Sequence, residues 1–307
     1  MSERWVAIVN PAAGGGRCGR RAPAALDALR REGFELEVHA TAGPGDATRI
    51  ARGLHAAGAR SFLAVGGDGT SFEIVNGLFA ARRDAGDAPG AAGTRPRLAM
   101  LPLGTGNSFL RDFGIRDAGQ ALRAIAKRSE HPCDVLRIEH ARGTLHAINL
   151  VGIGFSADAG ALTNRRYKPW GTLGYVLAVL RTAIDLRAPV FPLRLDGGEL
   201  DARPAILLSF CNSRCTAGAM RMAPHAEVAD GQLDVIRIGP RSRLSFLAAF
   251  PSIFAGRHIE KEGVEEARAR RVDLELDREV ECMIDGEVMP LALRAIEVVP
   301  AALTVVA

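Results

Sequence analysis

Apolar residues in the first 130 positions come as short continuous runs, "WVAIV" (5–9), "SFLAV" (61–65) and "LAMLPLG" (98–104). Between them lie stripes with apolar positions three and four apart, "APAALDALRREG" (22–33) and "DATRIARGLHAAG" (46–58). The runs, bounded by Gly or Pro, predict strands buried on both faces, and the stripes predict amphipathic helices, the first closed by Gly33. "FELEVHAT" (34–41) alternates as a further strand and "DAGQALRAIAKRS" (117–129) repeats the helical spacing. Strand and helix in alternation predict an α/β domain, a parallel sheet with helices on both faces.

Beyond residue 131 the rhythm changes. Short strands recur in "CDVLRIEHARGTLHAINLVGIG", "FPLRLDGGEL", "PAILLSFCN", "GQLDVIRIG", "RVDLELDREVECMIDGE" and "AIEVVPAALTVV", with hairpin-like turns such as "DGG" between them. Helical segments interrupt them near 170–186 and 242–256. The chain therefore divides into an α/β domain, 1–130, and a β-rich domain, 131–307. The tract 82–97, rich in Gly, Pro and Ala, reads as a surface loop.

Composition narrows the class. At 307 residues with 48% hydrophobic and 24% charged, the chain is long enough for two globular domains. Its longest apolar runs are strand-sized, far short of the roughly 20 residues of a spanning helix. No apolar leader follows the N-terminus, so a cytoplasmic protein is expected. Five cysteines, an odd count without a CxxC pair, read as free thiols. The net charge of +4 permits attraction to anionic surfaces. Basic clusters such as "GRCGRR" (16–21) carry no zinc-finger or RNA-binding signature and read as solvated faces, so no nucleic-acid partner is expected.

The stretch "FLAVGGDGTSFEIVNGLF" (62–79) introduces chemistry. Gly66, Gly67 and Gly69 stand where a parallel strand ends and a helix begins, the edge at which open α/β sheets bind ligands. Glycines permit positive φ and close approach of a phosphate to backbone N–H groups. Thr70 and Glu73 have capping-box spacing, so the helix is expected to start at Thr70. Asp68 is out of place in an anion loop unless it holds a metal, takes a proton or merely closes an Asx turn. "PLGTGNSFLRDFG" (102–114) repeats the pattern with Gly104, Thr105, Gly106, Asn107 and Ser108, and "NPAAGGG" (10–16) does so a third time. Neither a Walker A motif nor a Rossmann fingerprint is present, so nucleotide would be held by another arrangement.

These motifs, with "NLVGIGFSADA", "APHAEVADGQLDV" and "IDGE", resemble the family of diacylglycerol kinase catalytic domains, in particular the soluble bacterial lipid kinases related to sphingosine and ceramide kinases. The resemblance runs nearly end to end. It implies an N-terminal α/β nucleotide domain, a C-terminal β-sandwich-like domain and an active site in the cleft between them. The activity implied is ATP-dependent transfer of the γ-phosphate to the hydroxyl of diacylglycerol, a sphingoid base or a related lipid. An NAD kinase and a non-catalytic sensor on the same fold are the alternatives. The first lacks its adjacent Asn-Glu pair here, and the second would be marked by a lost carboxylate, whereas Asp68, Asp285 and Glu287 are all present.

By motif match, Asn10, Thr41, the run Gly66, Gly67, Asp68, Gly69, Thr70, Ser71 and Phe72, and Thr105 would contact ATP, with Gly104 and Asn107 in the same loop. Asp68 would hold or organise Mg²⁺. Glu287 matches the proton acceptor, with Asp285 beside it, although the residues themselves leave the base as either Asp68 or Glu287. "EVADGQLDV" (227–235) resembles a structural metal site in which Asp230 supplies a carboxylate and Glu227 and Gln232 backbone carbonyls, and a simple Asp-Gly turn explains the same residues. Ala229 stands where many relatives have an acid. "YKPWGTLGYVLAVLRTAIDL" (167–186) is apolar around much of its surface and follows Arg165, Arg166 and Lys168, as a lipid-tunnel lining, a membrane-facing edge or a core helix would be. Phe246, Phe250 and Phe254 fall on one helical face and read as core. Transient peripheral contact with a membrane follows from the implied substrate, and a homodimer is compatible with it.

Overall fold

The computed structural model describes residues 4–84, 95–167 and 170–307. Two compact units are present, Met1–Val135 with Val299–Ala307, and Leu136–Val298. The expected boundary at 130/131 falls at the start of a strand, and the last nine residues return to the first unit. Most of the tract 82–97 lies outside the described residues.

In the first unit the order is β1 (Arg4–Val9), α1 (Arg17–Arg31), β2 (Glu35–Ala40), α2 (Asp46–Ala56), β3 (Ser61–Gly66), α3 (Asp68–Asp84), β4 (Arg97–Pro102) and α4 (Ala118–Lys127). The strands pair in parallel as β2-β1-β3-β4. Residues 304–306 add a further parallel strand beside β4. β3 is buried along its whole length, as is β1 after Arg4, which is why they read as unbroken apolar runs. β2 pairs on one side only and alternates, with Val38 41% exposed. α2 and α3 pack together so closely that a β-carbon on Gly77 would lie 2.5 Å from the Thr48 carbonyl oxygen. This contact accounts for a glycine in the middle of α3.

The expected capping box does not form. α3 begins at Asp68, two residues before Thr70, so Glu73 lies beyond the first turn. Its carboxylate instead accepts the N–H groups of Gly45 (2.9 Å) and Ala47 (3.0 Å) and caps α2.

The second unit begins within β5 (Glu130–His140), which forms a hairpin with β6 (Gly143–Ala147). β7 (Leu150–Gly154) leads into α5 (Phe155–Leu162) and α6 (Gly171–Ile184). Next come β8 (Leu193–Leu195), β9 (Leu207–Cys211), the short pair β10 (Cys215–Thr216) and β11 (Met220–Arg221), and β12 (Leu233–Ile238). α7 (Arg243–Ala249), β13 (Val264–Ala269), β14 (Arg271–Leu274), β15 (Val280–Ile284), β16 (Glu287–Leu291) and β17 (Leu293–Val306) complete the chain. A six-stranded antiparallel sheet runs β13-β12-β9-β7-β15-β16. β14 pairs with β8 and with the first part of β17, giving the sandwich-like arrangement its other strands.

Leu150, Leu207, Ile236 and Met283 of the six-stranded sheet share one core with Phe155, Val179 and Phe246 of α5, α6 and α7. α5 was not expected, because "FSADAGAL" has no amphipathic stripe: six of its eight residues are buried. Phe246 is buried, but the chain tightens to a 3₁₀ helix over Phe250–Ala255, with Pro251 in its first turn, and Phe254 turns outward at 42% exposure. All five cysteines are free and buried, as expected.

Candidate functional site

The parallel order brings the exits of β1, β3 and β4 to one sheet edge. Asn10 N–H donates to the Val65 carbonyl (2.9 Å), and both Leu103 and Gly104 N–H donate to the Gly66 carbonyl (2.9 and 2.7 Å). Thr41 joins the same edge by donating to the Val9 carbonyl (2.8 Å). Gly66, Gly67, Gly104 and Gly106 do not have the positive φ that their residue type allows; positive φ occurs at Gly14, Gly15 and Gly16. Their function is closeness. A β-carbon on Gly104 would lie 2.8 Å from the Gly67 nitrogen, one on Gly106 2.9 Å from Asp68 Oδ2, and one on Gly66 2.3 Å from Thr70 Oγ1.

Asp68 is the first residue of α3 and half-buried, and its Oδ2 accepts the Ser108 N–H at 3.3 Å. The N-terminus of α3 thus lies at the two glycine loops, where the Thr70 and Ser71 N–H groups donate to the Gly67 carbonyl (2.9 and 3.3 Å) and the helix dipole favours an anion. Thr70, Ser71 and Phe72 are buried, so beyond Gly69 this run offers a ligand little of its side chains. Thr105 is exposed, and Asn10, Thr41 and Asn107 are half-buried. Arg17, in the basic cluster 16–21 that has the composition of a solvated face, donates from Nε to the Gly14 carbonyl (2.9 Å), beside the first glycine loop. Its position one residue after the glycines was the available signal.

In the second unit, Asp285 and Gly286 form the two-residue turn between β15 and β16, with φ of 48° and 90°. Such a turn requires positive φ at both positions, which Asp-Gly tolerates. The Asp285 carboxylate is 4% exposed and accepts three backbone N–H groups, those of Ile148 (2.9 Å), Asn149 (3.0 Å) and Leu150 (3.0 Å). Asn212 Nδ2 donates to the Ile148 carbonyl (2.8 Å), and Ser213 Oγ donates to Asn149 Oδ1. Asp285 therefore anchors the segment 148–150. Glu287, the first residue of β16, is exposed, and its carboxylate has no hydrogen-bond or ion-pair partner among the described residues.

In the expected metal set at 227–232, both oxygens of the Asp230 carboxylate are engaged. Asp230 Oδ1 accepts the Gln232 N–H (3.0 Å), closing an Asx turn, while Oδ2 pairs with the Arg268 guanidinium. Arg268 also lies 3.4 Å from Asp234, a buried acid. Burial pushes the Asp234 carboxyl up to about 6, against the pull of Arg268. A guanidinium already supplies the positive charge that a cation would bring, and Glu227 is exposed. To ligate Mg²⁺ or Ca²⁺, Asp230 would have to give up its pairing with Arg268.

An apolar pocket, partly open to solvent, lies in the second unit, lined by Phe155, Met220, Met222, Phe246, Phe250 and His258 among others. His258 is 4% exposed and donates from Nε2 to the Met222 carbonyl (3.0 Å). Burial lowers its pKa, so the ring is neutral at pH 7, and its buried Nδ1 has no partner among the described residues.

Comparison with known proteins is consistent with both halves of this description. Residues 4–138 match the model of the diacylglycerol kinase catalytic domain. Residues 149–307, more than half of the chain, match the YegS C-terminal NAD kinase beta sandwich-like domain. The chain belongs to the diacylglycerol kinase family. It is similar to a diacylglycerol kinase of Mycobacterium tuberculosis, 29% identical over 97% of this chain and 93% of that one. A Xanthomonas axonopodis pv. citri protein named "Probable lipid kinase YegS-like" is 30% identical over 91% of this chain and 89% of its own length. A crystal structure from Bacillus anthracis matches with a TM-score of 0.77 at 26% identity, over 99% of this chain and 97% of the other. The kinase therefore has the α/β and β-sandwich-like halves that its sequence led one to expect.

Proposed function

We propose that this kinase transfers the γ-phosphate of ATP to the hydroxyl of a membrane lipid, diacylglycerol or a sphingoid base being the leading acceptors. The observation that carries the reading is the meeting of two glycine loops on Asp68 at the N-terminus of α3. Backbone N–H groups there can receive phosphate oxygens, with Arg17 adding charge beside the first loop. Asn10, Thr41, Thr105 and Asn107 lie at the same edge and would orient the nucleotide.

Asp68 is the group suited to hold Mg²⁺, directly or through water, since a carboxylate among phosphate donors is otherwise repelled. Bound there, Mg²⁺ would neutralise charge on the transferred phosphoryl group. Glu287 is the proposed base: exposed and uncommitted, it can accept the proton of the attacking hydroxyl. Asp285 is already hydrogen-bonded to backbone and fixes the turn from which Glu287 projects. The reading requires the first unit's loops and Glu287 to act on one transferred phosphate. Nucleotide handling falls to the α/β half and lipid handling to the β-rich half, where the pocket presents an apolar lining. A lipid acceptor also implies transient contact with a membrane.

The test is phosphate transfer from γ-labelled ATP with Mg²⁺ to diacylglycerol, monoacylglycerol, phosphatidylglycerol, sphingosine and ceramide in mixed micelles, with NAD as a soluble control. A labelled lipid that disappears with Asp68→Asn, while that variant keeps its thermal midpoint, is the expected result. Labelled NADP in place of lipid would overturn the acceptor class. Tight ATP binding with no labelled product would overturn the catalytic reading.

A further inference from the structure

Four of the large apolar side chains most exposed in this protein lie along one helix and its N-cap. Trp170 is 58% exposed, Leu173 61%, Leu180 48% and Ile184 54%. At about 100° per residue, these four and the half-buried Leu177 fall within an arc of about 80° on α6. The opposite side of α6 is equally apolar: Ala178, Val179 and Ala183 are buried at 0, 1 and 2%. A surface helix ordinarily turns its charged residues outward. Here the solvent side is the apolar stripe.

The rim of the stripe is basic. Arg165 and Arg181 have side chains 73% and 54% exposed, and Arg166 is exposed. α7 packs beside α6 and adds exposed Arg243 and Leu244, the latter 81% exposed. Arg181 is paired with Asp185 and Arg165 with Glu281, and the exposed Asp158 of α5 lies near Arg187, so the surplus positive charge of the rim is that of Arg166 and Arg243. An apolar stripe led by a tryptophan and bordered by arginines has the make-up of a helix that lies in the plane of a membrane interface. A second copy seated on the same face would bring its own arginine rim against this one, whereas an anionic bilayer complements it.

We infer that the outward face of α6, with Leu244, docks this kinase on the surface of an anionic phospholipid bilayer. The side chains Trp170, Leu173, Leu180 and Ile184 enter the boundary between headgroups and acyl chains, and the arginines meet lipid phosphates. The inference adds a docking surface to the lipid-kinase reading and rests on it for its biological sense, but its test does not depend on turnover.

Trp170 is its own probe, since the only other tryptophan, Trp5, is 3% exposed and buried in the first unit. The full chain is titrated with phosphatidylcholine vesicles with and without phosphatidylglycerol. The expected result is a blue shift of the emission with phosphatidylglycerol vesicles, quenching by brominated acyl chains, and loss of both signals in Trp170→Phe. Leu173→Ser combined with Leu180→Ser should weaken vesicle binding at least about tenfold. The same variant should phosphorylate a monomeric short-chain lipid at the unaltered rate. Vesicle binding in a protein that phosphorylates no lipid would uphold the docking face and remove the kinase reading alone. No shift on phosphatidylglycerol vesicles, or equal binding by the double variant, overturns the inference. So does a dimer in sedimentation that the double variant dissociates, because the face would then belong to a second copy.

Discussion

Asp285 and Glu287 flank a single glycine, and their surroundings separate them. Three N–H donors commit Asp285 to the loop at 148–150, while Glu287 faces solvent. Glu287→Gln is therefore expected to lower kcat by about 10²–10⁴-fold and leave the thermal midpoint in place. Asp285→Asn should lower the midpoint, because hydrogen bonds to a charged acceptor are worth about 1.5–3 kcal/mol each. Its residual activity should keep the wild-type pH profile. Normal turnover in Glu287→Gln, measured by coupled ATP hydrolysis or lipid labelling, would remove that residue from the chemistry. At Gly104 the added methyl of Ala meets the Gly67 backbone rather than a movable side chain. Gly104→Ala should cost about 1–3 kcal/mol in unfolding by urea and raise the KM for ATP. The sequence pointed to both glycine loops and to Asp68. It could not show that the glycines serve closeness instead of φ, since that depends on two loops meeting 37 residues apart in the chain.

Among the elements, α2, α3 and the antiparallel pair β12–β13 show what local spacing leaves open. The Thr70 and Glu73 pattern is a valid capping box on paper, but the helix starts at Asp68 and Glu73 caps its neighbour α2 instead. β13 went unseen because "VEEARA" is a charged edge strand, and the ion pair it makes across to β12 appears only on pairing. It joins Arg268 on β13 to Asp234 on β12. Asp234 holds its proton up to about 6 in the fold against an ordinary value of 3.8. Between those values the folded state binds more protons than the unfolded chain, so this group makes stability fall as pH rises from about 4 to about 6. Asp234→Asn should remove that slope from a plot of thermal midpoint against pH. An unchanged slope would mean that another group carries it. The strongly periodic helices and buried strands of the first unit were legible because packing and propensity agree there. α5 was not, because it is buried nearly all round and has no stripe.

At the scale of the molecule, the chain passes from the first unit to the second near residue 135 and comes back at residue 299. The return strand lies parallel to β4 at Thr304–Val306, and the Ala301 N–H donates to the Asp134 carboxylate. Nothing in "AIEVVPAALTVV" distinguishes its two ends, so a linear division at 130/131 could not assign the second end to the other unit. Ending the chain at Val298 should expose the β4 edge, lower the thermal midpoint of the first unit and abolish ATP binding measured by calorimetry, while the second unit stays folded. Retained ATP binding would show that the return strand is dispensable. That strand also sets an order of events during synthesis. Residues 136–298 emerge as one uninterrupted stretch and can fold as soon as they are clear of the ribosome, whereas the sheet that carries the glycine loops must wait, one strand short, until the residues after 298 arrive. The half translated first is then the half finished last, and a nascent chain acquires its β-rich half before its complete parallel sheet.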